Sequence, residues 1–320
     1  MRAQTLSKNR VAVAACFLVA TACWLVVAAD EKRAAKPAFN QSTTKAIFFD
    51  SVSSAIRGQR PTIDTLRQQT AAAAAPAATG GGATGGAPKV DGTWDNMITA
   101  GSIEDEVKKR KLHYDSVVTL PGPFKSGGYQ DARLDLMVMA SLFAVISEYK
   151  GEVRFKKDAA AARDLLARTA FRCNSGTSQV FNEANARKED LQSLMSGSGL
   201  GERRTEEGND WSAILDRSPL MEYMEELKDQ LKTASNSEAA VKAEPNEVRR
   251  PAELLAIIGY ILHQEGMDDA DDEDYKAYCV QMTNGALTVR RGLDANDYKT
   301  VGDGVGVITT SCDDCHGEYR

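Results

Sequence analysis

Runs of alternating β-branched residues are missing after residue 89, so there is no basis for a sheet. Histidine is scarce, with three in 320 residues. Of six cysteines, two fall within residues 1–29 and two in one C-terminal cluster, which leaves Cys173 and Cys279. Those two could pair in an oxidising compartment or stand as lone buried thiols, and sequence spacing does not choose between them. Positive charge is in the minority. The formal net charge is −6, and removing Arg2, Lys8 and Arg10 with the N-terminal segment would take it to −9. An acidic surface disfavours nucleic acid and anionic lipid as partners and suits a basic protein.

The N-terminus has the pattern of an export signal. Arg2, Lys8 and Arg10 form a basic start, residues 11–29 are apolar or small throughout, and Val27-Ala28-Ala29 before Asp30 suits cleavage. A stretch of that length can also span a bilayer, so an uncleaved membrane anchor is the competing expectation. Either way the remainder is expected beyond the membrane, in the periplasm or cell envelope.

Residues 30–69 are polar, with a short amphipathic helix expected over 47–56. Residues 70–90 form an Ala/Gly/Pro-rich linker with nothing to build a core. From 91 to 320 the pattern is helical. Ser102 is expected to cap a helix over 103–115, and Pro121-Gly122-Pro123 with Gly127-Gly128 to break the chain. Helices are expected over 131–149, 158–173, 178–196 and 211–232, with a Gly-rich charged loop over 197–210. Pro251 suits a first helical position, and Arg290 and Arg291 before Gly292 suit a helix end. Asp294 or Asn296 then starts a last helix. Tyr298, Val301, Val305, Ile308, Cys312, Cys315 and Tyr319 recur along it at alternating steps of three and four, one buried stripe.

That stripe ends in Cys312-Asp313-Asp314-Cys315-His316. Cys-x-x-Cys-His is the attachment pattern of c-type haem: two thiols add to its vinyl groups and the adjacent imidazole reaches the iron. Other readings compete. Half of a zinc site completed by Cys173 and Cys279 lacks the usual second short ligand cluster. A thioredoxin-like pair lacks its βαβ context. An exported disulfide fits the leader but leaves the histidine unused. Attachment of haem c takes place beyond the membrane, so the leader and the motif agree.

Placed on the last helix of an all-α chain, Ser311-Cys312-Asp313-Asp314-Cys315-His316-Gly317-Glu318-Tyr319-Arg320 resembles the cytochrome c′ family. The resemblance implies an antiparallel four-helix bundle, here with extra helices and an N-terminal extension. It implies one covalent haem c on Cys312 and Cys315, His316 as proximal iron ligand, and Tyr319 and Arg320 as the aromatic and basic residues that follow. Low-spin relatives draw a sixth ligand from a methionine of the first bundle helix. Met137 and Met139 are the candidates if that helix is 131–149, and Met97 if it lies earlier. His113 and His263 are the spare imidazoles. The expected role is electron transfer with redox partner proteins rather than catalysis, with homodimerisation implied by resemblance alone. A five-coordinate haem binding nitric oxide or carbon monoxide is the alternative. A peroxidase would need a distal acid–base residue, and two spare histidines make that the least favoured reading.

Overall fold

A computed structural model describes residues 93–319, and every regular element among them is helical. The leader over 1–29, the short helix expected over 47–56, the linker over 70–90 and Arg320 lie outside the described residues. Eight helices of 14 residues or more carry the fold. They are α1 (Ala100–Val117), α2 (Tyr129–Glu148), α3 (Ala159–Arg172), α4 (Ser178–Ser196), α5 (Arg217–Ala234), α6 (Pro245–Leu262), α7 (Glu273–Ala295) and α8 (Tyr298–Glu318).

Local chemistry sets the helix starts. Thr177, Asp216, Asp272 and Asp297 each cap a helix by accepting from a backbone N–H of the first turn. The cap of α1 is Thr99, not Ser102. Its backbone N–H and hydroxyl both donate to Glu253 Oε2, at 3.0 and 2.8 Å. A capping box normally takes its carboxylate from the same helix. Here α6 supplies it, which local sequence could not reveal.

Four further boundaries differ from expectation. The helix expected over 211–232 is a turn at Trp211–Ile214, extended backbone at Leu215, and α5. Pro219 disfavours continuity, because its ring would meet the Leu215 carbonyl in an unbroken helix. Pro245, rather than Pro251, opens α6, and Pro251 lies inside it. The carbonyl that Pro251 leaves unbonded belongs to Glu247, an exposed residue that water can reach. Gly292 does not end α7, which runs on to Ala295 before Asn296 turns left-handed at φ 52°. Asp297, not Asp294 or Asn296, then caps α8.

The core is centred on α2, where every residue from 135 to 146 is buried. A helix buried on all sides is a central one, and α2 packs on α1, α3 and α5. The one charged residue of that buried stretch, Asp135, belongs to a network of ion pairs. Arg110 Nε donates to Glu106 Oε1 at 2.9 Å, Nη1 to Asp135 Oδ1 at 3.4 Å and Nη2 to Glu226 Oε2 at 2.6 Å, while the guanidinium lies 4.3 Å from the centre of the Tyr223 ring. His113 Nδ1 meets Asp135 Oδ2 at 2.6 Å. Burial pushes the Asp135 carboxyl up to about 6 against the pull of His113 and Arg110. The network ties α1 and α2 to α5, so removing one partner would strand buried charge at a cost of about 3–5 kcal/mol.

From α5 onward each helix packs on the next, and α8 comes back to touch α5. The backbones of α7 and α8 come close together. A Cβ built on Gly304 would lie 2.7 Å from the Val289 nitrogen and 2.8 Å from the Gly285 carbonyl oxygen, and one on Gly292 would lie 2.7 Å from the Val301 nitrogen. Backbone atoms cannot move aside as a side-chain tip can. Gly304→Ala should therefore destabilise the protein by about 1–3 kcal/mol through overpacking. Gly306, two residues on, has open space around its Cβ position, and Gly306→Ala should stabilise it by about 0.5–1 kcal/mol. Urea unfolding of the two variants checks the pair.

Candidate functional site

The helical repeat of α8 brings Cys312, Cys315, His316 and Tyr319 to one side, half-buried, and leaves Asp313, Asp314, Gly317 and Glu318 in solvent. Two fasteners fix that end of the helix. Ser311 Oγ donates to the Tyr278 carbonyl of α7 at 2.8 Å. The Tyr319 hydroxyl donates to Asp272 Oδ1 at 2.7 Å, the same oxygen that caps α7 through the Asp274 and Tyr275 N–H groups. Tyr319 also packs edge-on to Tyr275, with ring centres 5.2 Å apart.

The two thiols and the imidazole border an apolar niche between α5, α7 and α8. Met221 and Met224 come from α5, and Tyr275, Cys279 and Met282 from α7. Its enclosed volume is about 30 Å³, about the share of one water. Beside it opens a groove of about 920 Å³, which shares Met221, Tyr275, Cys315 and His316 with the niche and adds Arg217, Lys228 and Tyr319. A cofactor site occupies about 300–1,000 Å³, so the groove has the room that the niche lacks. The Tyr275 hydroxyl is buried there with no hydrogen-bond partner, which an occupant could supply.

Burial raises all three thiols at the niche. Cys312 and Cys315 are both pushed up, with Lys228 pulling the first and Arg217 the second the other way. Cys279 is pushed up to about 12 by burial, helped by the nearby Cys315. Among the described residues, no group of three or more His, Cys, Asp or Glu is arranged to hold a metal ion. Cys173 is remote from the cluster, at the end of α3, and burial pushes it up to about 12 as well. Cys173 and Cys279 are both free, buried thiols, so the pairing considered from sequence does not form.

Cys312, Cys315, His316 and Tyr319 thus come together as expected. The methionines do not. Met137 and Met139 are buried within α2 and Met97 just before α1, and none of the three lines the niche. Met221, Met224 and Met282 line it instead. His113 is engaged with Asp135. His263 Nδ1 lies 2.9 Å from the Gly259 carbonyl, and burial lowers its pKa. Neither imidazole borders the niche. Met224, Cys279 and Met282 each fell on an apolar stripe, a signal for burial that carried no information about which helices would meet.

The chain matches no protein-family model, no curated protein and no solved structure. The site's chemistry must therefore be judged from its donors. Two thiols one turn apart have the spacing to add to the vinyl groups of a haem, and the adjoining imidazole and the methionine thioethers across the niche are ligand types that suit haem iron. A thiol with its pKa near 12 is almost wholly protonated at pH 8. In the folded chain, iodoacetamide at pH 8 should therefore leave Cys173 and Cys279 unmodified until denaturant is added, as peptide mass mapping would detect.

Proposed function

We propose that this chain is an exported c-type cytochrome that carries a single haem c and transfers electrons. One observation carries the reading: the thiols and imidazole of a Cys-x-x-Cys-His segment border an apolar niche walled by methionine thioethers and continuous with a groove of cofactor size. Cys312 and Cys315 would hold the haem covalently, and His316 would ligate its iron. When bound, that group supplies one-electron exchange between two iron states.

The chain's own part is enclosure. Met221, Met224, Met282 and Tyr275 line an apolar niche on the side of α8 that bears the motif. Cys279, held neutral by burial, adds no charge beside the iron. Helices α5–α8, packed in sequence and closed by the α8–α5 contact, would be the cytochrome c′-like four-helix bundle, and α1–α4 the additional helices. On this reading α5 replaces α2 as the first bundle helix. Met221 or Met224, which line the niche, would then be the methionine that ligates the iron in place of Met137 or Met139. Export rests on residues 1–29. Among the described residues, no helix is long and apolar enough to cross a membrane, so anchoring would rest on that leader too. A basic redox protein suits the acidic surface as partner.

Expression alongside haem-maturation machinery should give a c-type α-band that survives acid–acetone extraction, and Cys312→Ser with Cys315→Ser should abolish that covalent retention. A colourless wild-type protein would refute the proposal. The ferrous form should ignore carbon monoxide, and either Met221→Ala or Met224→Ala should make it high-spin and responsive to that gas. Uptake of carbon monoxide by the unsubstituted protein would favour the gas-binding alternative.

A further inference from the structure

We propose that Tyr275 and Arg217 form a carboxylate-binding pair that grips a propionate of the haem, an inference that rests on the functional reading above. Tyr275 is 1% exposed, and its hydroxyl is buried with no hydrogen-bond partner. Leaving such a group unpaired costs about 1–3 kcal/mol, and buried polar groups nearly always find a partner. Tyr275 lines both the niche and the open groove, so a molecule seated beside His316 can reach it.

Arg217 supplies the second donor. Its guanidinium lies 5.6 Å from the centre of the Tyr275 ring and holds the phenol's pKa down against burial. Nη1 is engaged with the Asp269 carboxylate and the Asp268 carbonyl. Nη2 meets no partner among the described residues and remains available. The groove's other cation, Lys228, is held by Glu225 at 2.6 Å. Glu222, Glu225 and Asp313 also border the groove, and they would repel an incoming anion. A phenol O–H and a planar guanidinium with a free Nη2 side by side offer a geometry that suits a carboxylate. The group that Cys312, Cys315 and His316 would hold carries two carboxylates on flexible arms.

The test uses the haem-loaded full chain. Tyr275→Phe removes one donor, Arg217→Gln the charge, and Arg217→Lys keeps the charge without the fork. Tyr278→Phe is the control, since Tyr278 borders the niche but not the groove. Tyr275→Phe and Arg217→Gln should each shift the propionate bending band in resonance Raman spectra and lower the reduction potential, because an uncompensated carboxylate favours ferric iron. Arg217→Lys should recover most of the potential, and Tyr278→Phe should change neither readout. A Tyr275→Phe protein with wild-type band and potential overturns the pair while leaving the haem reading intact. A wild-type chain without an α-band overturns both, and the two failures are told apart by that spectrum.

Discussion

The close approach of α7 and α8 is the contact on which the site depends. Gly292 and Gly304 let the two backbones meet where any side chain would strike main-chain atoms, and Gly285 leaves room for Val307 and Ile308. That approach sets the register between the helices. With it set, Ser311 reaches the Tyr278 carbonyl and Tyr319 reaches Asp272, the residue that caps α7. One carboxylate thus starts one helix and fastens the end of the other, and Cys312, Cys315 and His316 stand between these two anchors.

The opposite wall is held differently. Met221 and Met224 belong to α5, and α5 is tied to α1 and α2 by Arg110, Glu106, Asp135 and Glu226 around Tyr223. Buried charge is a poor source of net stability but a strict selector of geometry, because misplacement leaves ions unpaired in a low dielectric. The helices before α5 therefore do more than extend the chain, since they fix the helix that lines the niche. Glu253 works in the same sense, reaching from α6 to cap α1.

The niche itself is small and apolar. Methionine suits such a wall, since its flexible thioether fills irregular space and can also serve as a ligand. Arg217 and Lys228 border the open groove, where their charges stay near water, while the Tyr275 hydroxyl beside them is buried without a partner.

Much was legible in residue order. Helix content followed from spacing, the loop over 197–210 from its glycines, and the grouping of Cys312, Cys315, His316 and Tyr319 from steps of three and four along one helix, because helical periodicity is a local property. Pro219 was equally legible as a break, had its ring been weighed against the apolar pattern around it. What only the tertiary structure decided was which helices meet. Met137 and Met224 both fall on apolar helix stripes, and nothing local separates a methionine buried in the core from one beside the thiols. That Gly292 is a point of close approach rather than a stop, that Glu253 caps a distant helix and that Tyr275 lacks a partner all depend on contacts between residues far apart in the chain.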